Sequence, residues 1–150
     1  MKKFEDYKDL IFFEDRLNLI EIEKFVDETL YKSLHEDFPN EKYFQEHNEF
    51  AMSFMDDNQK FYEFIENNQS WKKYISFLTN KTLVNELIRF FKIKNVYYKN
   101  SWKKILPFFK KVKVSFCFNI SKDGGFSLPH TDSSRKLISL VHFFVDDEWS

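Results

Sequence analysis

The sequence has little of several things that mark common protein classes: among its 150 residues are one cysteine, two glycines and three prolines. A single cysteine, Cys117, cannot form an internal disulfide, which excludes a disulfide-stapled secreted domain and fits a reducing compartment. Acidic and basic residues, 24 and 23 in number, nearly cancel. The net charge of -1 therefore gives no overall electrostatic reason to expect a nucleic acid or an anionic membrane as partner. We interpret the lysines at 103–104 and 110–113 as a solvated surface.

Long apolar runs are also missing. Acidic residues interrupt every apolar stretch near the N-terminus, so the apolar core of a signal peptide, about 7 to 15 residues, is absent. No stretch approaches the roughly 18 residues of a membrane span. We therefore expect a cytoplasmic protein without membrane contact.

What the sequence does have is aromatic surface, with 20 phenylalanines, seven tyrosines and three tryptophans. This is more than a disordered chain would hold, and the length suits one domain over residues 1–150. Cys117 lies within an apolar alternating stretch and has no basic neighbour in sequence. We therefore predict a buried, inert thiol.

Apolar residues at helical spacing predict helices over residues 19–36, around 61–65, and over 70–78 and 83–92. Pro39 is expected to stop the first helix, and Ser70 and Asn80 are the predicted N-caps of the last two. Short strands are expected at 10–13 and 49–54. We interpret the apolar stripes of the helices as packing core rather than as a cofactor pocket.

The period of the pattern changes in the last third of the chain. Apolar and polar residues alternate over 112–121, which predicts a strand. Gly124 and Gly125 then form a tight turn, and residues 126–132 return as a second strand. The nearly continuous apolar run 137–145 predicts a third strand, buried on both faces of a sheet.

His130 and Asp132 lie on the predicted second strand. Side chains two residues apart in an extended segment point the same way, so this imidazole and this carboxylate would face one point. Together they form half of a metal site of the kind that binds non-haem Fe(II), for which two histidines and one carboxylate are usual. The alternative is a hydrogen-bonded surface pair in which Asp132 orients the ring of His130.

Residues 115–149 carry a family resemblance. The strand, the Gly-Gly turn, Leu-Pro-His-Thr-Asp-Ser, Arg-Lys-Leu-Ile-Ser-Leu and the closing Asp-Asp-Glu-Trp resemble the first half of the catalytic barrel of the 2-oxoglutarate and Fe(II)-dependent dioxygenases, in their prolyl 4-hydroxylase-like branch. Upstream, residues 34–39 and 70–91 are similar to the helical lead-in of that family.

The resemblance implies an α+β fold in which N-terminal helices (residues 1–110) precede the first strands (residues 111–150) of a double-stranded β-helix, or jelly-roll, barrel. It implies that His130 and Asp132 are iron ligands, that the metal is Fe(II) and that 2-oxoglutarate is the co-substrate. The implied reaction is the hydroxylation of a C–H bond, with conversion of 2-oxoglutarate to succinate and CO₂. Whether the substrate is a protein or a small molecule stays open.

The sequence departs from the family pattern in three places. The only later histidine, His142, follows too soon to be the distal ligand, and no lysine or arginine after Lys136 is available to pair with 2-oxoglutarate. Ser127 stands where related sequences often have a tyrosine. We therefore expect an N-terminal fragment that is inactive alone, or a chain whose barrel is completed by a missing C-terminal half or a partner chain.

Two other function classes are compatible with parts of the pattern. The first is a non-catalytic helical and β module that binds a partner through its aromatic surface. The second, a metal-dependent hydrolase, is disfavoured because the sequence has no HExxH-type helix and no second cluster of ligands.

Overall fold

A computed structural model describes residues 10–13, 19–22, 25–48, 51–99, 102–121 and 135–144. These ranges contain both helices and short strands, so the fold belongs to the α+β class, as expected. The helices are α1 (Glu28–Glu36), α2 (Gln59–Asn67), α3 (Gln69–Leu78) and α4 (Lys81–Phe90). The strands are β1 (Leu10–Phe13), β2 (Leu19–Ile22), β3 (Gln45–Asn48), β4 (Ala51–Met55), β5 (Val96–Tyr97), β6 (Lys110–Lys111) and β7 (Cys117–Ser121). None of these helices is long and apolar enough to cross a membrane.

The strands form three small sheets. The largest is antiparallel in the order β3-β4-β7, with Phe54 of β4 directly opposite Phe118 of β7. Strands β1 and β2 make an antiparallel pair, whereas β5 and β6 pair in parallel. These sheets do not close into a barrel within the described ranges.

The N-terminal prediction was half wrong, because the helix expected over 19–36 is a strand followed by a shorter helix. β2 pairs with β1, in a register that sets Leu10 opposite Ile22. The β-branched isoleucines of β2 suit this pairing, whereas a periodicity argument cannot sense a partner strand. Asp27 then begins α1, since its carboxylate accepts a hydrogen bond from the Leu30 amide at 2.8 Å. The helix ends at Glu36, before Pro39, as predicted.

Asparagines begin the other three helices. The side chains of Asn58, Asn68 and Asn80 each accept a hydrogen bond from an amide of the first turn, at 3.0, 3.0 and 2.8 Å. The prediction for Asn80 is confirmed, whereas Ser70 is not a cap and lies inside α3. Asn68 is the N-cap of α3 instead. The same residue is the C-cap of α2, where its backbone amide donates a hydrogen bond to the Ile65 carbonyl.

Helix α4 ends without a glycine. Lys92 adopts a positive φ of 52°, while the amide of Ile93 donates to the Ile88 carbonyl and that of Lys92 to the Arg89 carbonyl. This is the Schellman arrangement, in which glycine is the usual residue at the position of Lys92. In a chain with two glycines, lysine carries this conformation instead.

The core lies between the helices and one face of the three-stranded sheet. Phe118 is at its centre, with its ring 4.6 Å from that of Trp71 and 5.7 Å from that of Phe61. The indole nitrogen of Trp71 donates to the Asp37 carbonyl at 2.9 Å, so this buried donor is satisfied. The other members of this buried cluster are Val26, Leu30, Leu34, Phe44, Met52, Phe54, Ile65, Tyr74, Phe77 and Leu83.

The last described segment, residues 135–144, contradicts the prediction of a third, doubly buried strand over 137–145. Residues 137–144 pair with no strand among the described residues, and Val141 and Phe143 are exposed. His142 and Phe144 instead turn inward, against rings of α1 and α3. A run of apolar residues predicts burial on both faces only if a second layer covers it, and here the helices cover one side.

Candidate functional site

The two predicted metal ligands, His130 and Asp132, lie outside the described residues, as do the turn at Gly124 and Gly125 and the position of Ser127. The structure describes the segments that precede and follow these residues in the chain. β7 ends at Ser121, and the chain is described again from Arg135.

β7 leads into the motif and presents two chemically different faces. Phe118 is buried against the helices, whereas Cys117 and Asn119 are exposed on the other side. The alternation predicted from the sequence is therefore confirmed for the part that forms a strand, Cys117–Ser121, whereas residues 112–116 belong to no strand. On β4, Ser53 lies opposite Asn119 and is buried. Together Ser53, Cys117 and Asn119 make up what we call the polar face of the sheet.

Cys117 corrects the prediction of a buried thiol. The residue is exposed, because it lies on the polar face and not on the face that packs against the helices. Its sulfur contacts the Asn119 side-chain oxygen at 3.3 Å. Partial burial of the sulfur nevertheless raises the pKa of the Cys117 thiol, and the carboxylates of Asp56 and Asp57 act in the same direction. A raised pKa favours the protonated thiol at neutral pH, and low reactivity stays a prediction.

His142, the only histidine that follows the motif, is half-buried in an aromatic cluster. Its Nδ1 lies 2.9 Å from the Tyr74 hydroxyl, and its ring stacks on that of Phe144 at 4.6 Å and approaches that of Tyr31 at 5.9 Å. Burial lowers the pKa of His142, so that the neutral form is favoured. These contacts give the side chain a packing role, which agrees with its exclusion as distal ligand.

The described residues contain no group of three or more His, Cys, Asp or Glu side chains that would hold a metal ion. His130 and Asp132 lie outside these described residues. A surface depression of about 270 Å³ lies along α2 and is lined by Tyr43, Lys60, Glu63, Phe64, Asn67 and Asn68. Because Phe64 contacts Phe118 from the helical side, this depression is not on the polar face.

Sequence reasoning missed two features of this region. The first is the contact between Tyr74 and His142, which lie 68 positions apart in the chain. No local pattern joins such residues. The second is that the lysines noted at 103–104 and 110–113 belong to a longer stretch, residues 87–122, that contains no acidic residue.

No family model matches the chain, and neither a curated protein nor a solved structure is significantly similar to it. The resemblance to the dioxygenases therefore rests on the residues and motifs of the sequence itself.

Proposed function

We propose that this chain is the front part of an Fe(II)- and 2-oxoglutarate-dependent oxygenase of the prolyl 4-hydroxylase-like branch. The observation that carries the proposal is the order of features over residues 115–149, in which a strand, a glycine turn and His-Thr-Asp follow one another. His130 and Asp132 are the proposed ligands of Fe(II). The proposed fold of residues 111–150 is the beginning of a double-stranded β-helix, within a single domain.

The two faces of β7 support this proposal. In a barrel wall, one face of a strand packs against supporting elements and the other lines the interior. Phe118 packs against Trp71 and Phe61 on the helical side. The polar face, with Ser53 and Asn119, remains for an interior that takes polar ligands.

The chemistry divides between the protein and the groups that it would bind. In this family the metal and 2-oxoglutarate supply the oxidation, which converts the co-substrate to succinate and CO₂ while a C–H bond is hydroxylated. Neutral His130 would donate a nitrogen lone pair, and ionised Asp132 would contribute an oxygen ligand and a negative charge. One imidazole and one carboxylate fit Fe(II) and leave positions for further ligands.

His130 and Asp132 would be two of the three protein ligands that this family uses. The distal histidine and the basic residue that pairs with 2-oxoglutarate would come from further residues or from a partner chain. We therefore do not propose that this chain is active alone. The substrate, a protein or a small molecule, is left open.

The test is titration with Mn(II), a redox-stable substitute for Fe(II), followed by calorimetry and by electron paramagnetic resonance. We expect weak binding that is lost in His130→Ala and in Asp132→Ala. Asp57→Asn, which alters an exposed turn carboxylate elsewhere, is the matched control and should bind as the wild type does. The proposal fails if the wild type binds no Mn(II), or if both motif variants bind it unchanged.

A second candidate, the non-catalytic interaction module, is favoured by one observation. Leu137, Leu140, Val141 and Phe143 are exposed in one short segment, which is unusual for a monomer. If the chain binds no Mn(II) but its sedimentation coefficient rises with concentration, and Val141→Ser with Phe143→Ser abolishes that rise, the interaction module is the better description.

A further inference from the structure

One stretch of the chain carries charge of one sign only. Residues 87–122 contain ten lysines and arginines and no acidic residue, so all 24 acidic residues lie elsewhere. The net charge of -1 therefore conceals a strongly basic segment. Because attraction to a polyanion depends on the local potential, the overall charge does not exclude such a partner.

The fold brings two parts of this segment together, residues 96–97 and residues 110–111. In the parallel pair, Val96 of β5 lies opposite Lys110 of β6, and Tyr97 lies opposite Lys111. The Lys110 amide donates to the Asn95 carbonyl at 2.9 Å. This pairing brings the lysines of β6 next to the segment that contains Lys94 and Lys99. The exposed lysines of the described part of this stretch are Lys92, Lys94, Lys99, Lys104, Lys110, Lys111 and Lys113.

Between β5 and β6 the chain forms a 3-10 helix, Trp102–Ile105, which then turns at Pro107. The spacing of three continues beyond the helix, because the Leu106 amide donates to the Lys103 carbonyl and the Phe109 amide to the Leu106 carbonyl, each at 3.0 Å.

With three residues per turn, side chains at i and i+3 lie above one another. Trp102 and Ile105 therefore lie one above the other, and Phe108 follows at the same sequence spacing in the turn beyond the helix. We call these three residues the row. Their exposed fractions are 68, 77 and 61%, while Leu106 and Phe109, on the other side of the turn, are half-buried.

We propose that this row and the lysines around it, together called the basic-aromatic surface, bind an anionic phospholipid membrane. The apolar row would enter the headgroup region, and the lysine stems would extend along the apolar surface with their ammonium groups at the lipid phosphates. Trp102 suits this depth, because indole rings concentrate at membrane interfaces.

The row favours a membrane over a nucleic acid. A single-stranded nucleic acid would stack its bases on Trp102 and Phe108. It would gain nothing from Ile105, which has no π face and is the most exposed of the three side chains. A bilayer interface takes up all three, since it rewards apolar area of any shape.

Vesicle flotation with the full chain tests this proposal. We expect binding to phosphatidylcholine vesicles that contain roughly a third phosphatidylserine, little binding to pure phosphatidylcholine, and weaker binding as salt is added. Replacing Trp102, Ile105 and Phe108 together by serine should lower the partition coefficient by at least about tenfold. Replacing Lys104, Lys110 and Lys111 by glutamine should lower it roughly fivefold for each lysine.

Tryptophan fluorescence gives an independent readout. The readout uses a Trp149→Phe background, in which Trp71 and Trp102 are the two tryptophans that remain. Trp71 is already buried, so a blue shift on addition of vesicles should come from Trp102 and disappear when Trp102→Phe is added. Two matched controls test the location of the surface. Val141→Ser with Phe143→Ser removes equally exposed apolar side chains, and Lys60→Gln with Lys73→Gln removes exposed charges on the helices.

Far-UV circular dichroism of each variant checks that the fold persists. The proposal is overturned if the wild type does not float with anionic vesicles, or if the control variants lose binding as strongly as the test variants do. It is equally overturned if a single-stranded oligonucleotide binds to the basic-aromatic surface and the vesicles do not, since the partner is then a nucleic acid.

Discussion

The two faces of the three-stranded sheet differ in burial and in chemistry. On the helical face, Phe118 and Phe54 are buried within a continuous aromatic cluster. On the polar face, the two neighbours of Phe118 in β7, Cys117 and Asn119, are exposed. Neighbouring residues of β7 therefore lie in different environments, one in the core and the others at the surface. The helical face contributes the buried core, whereas the polar face carries the exposed residues Cys117 and Asn119.

The largest expected effect tests this division within β7 itself. Phe118→Ala should lower the free energy of unfolding by about 3–5 kcal/mol, because it removes the ring that Trp71 and Phe61 contact and leaves a cavity. Asn119→Ala should change it by no more than about 0.5 kcal/mol, as exposed substitutions usually do. Urea unfolding followed by circular dichroism measures both. If Phe118→Ala and Asn119→Ala lowered the free energy of unfolding equally, the two faces would not differ in their contribution to stability.

The same comparison applies to the last described segment. The ring of Phe144 lies 5.5 Å from those of Trp71 and Tyr31, whereas Phe143 is 75% exposed. Phe144→Ala should therefore cost about 1–2 kcal/mol, less than a fully buried phenylalanine, and Phe143→Ala about 0.5 kcal/mol or less. Urea unfolding again provides the measurement. A larger loss in Phe143→Ala would mean that this side chain packs against something in solution.

A smaller effect should depend on pH. Burial lowers the pKa of His142 from its usual value of 6.5, so the unfolded chain takes up this proton at a higher pH than the folded chain. The contribution to stability is complete above the usual pKa and is lost as the pH falls through about 6.5 toward the folded pKa. Comparing urea midpoints from about pH 8 to pH 5 with those of His142→Phe measures it. If the urea midpoints of the wild type and of His142→Phe changed with pH in the same way, His142 would not be the origin of the pH dependence.

The smallest effect is expected for Cys117, on the polar face. Cys117→Ser should change the free energy of unfolding by about 0.5 kcal/mol or less, because the residue is exposed. The raised pKa of the thiol predicts slow reaction with a disulfide reagent at neutral pH and a rate that increases only above the usual range of thiols. The rate measured against pH tests this, and rapid reaction at neutral pH would contradict it.

Much of the helical half of the fold could be predicted, because its determinants are local. The apolar spacing of Leu83, Val84 and Leu87 and the cap at Asn80 are both readable within one or two helical turns. The alternation around Phe118 was readable for the same reason. Ser70 was misjudged because another good cap, Asn68, stood two residues earlier.

The remaining errors involve partners that are distant in sequence. Residues 19–22 fit a helix by spacing, but pairing with residues 10–13 made them a strand. The run 137–145 was expected to be a buried strand, but no described strand pairs with residues 137–144 and the helices cover one side only. The candidate ligands His130 and Asp132 remain predictions, because they lie outside the described residues.

The sequence by itself determined the N-cap at Asn80, the two-residue period of β7, the scarcity of glycine and the basic character of residues 87–122. Each of these depends on residues within a few positions, where propensity and spacing decide the outcome. Only the tertiary structure decided that Cys117 faces outward, that Tyr74 contacts His142, and that residues 96–97 pair with residues 110–111. These depend on which face the helices cover and on how the chain returns, and both are set by packing between residues far apart in sequence.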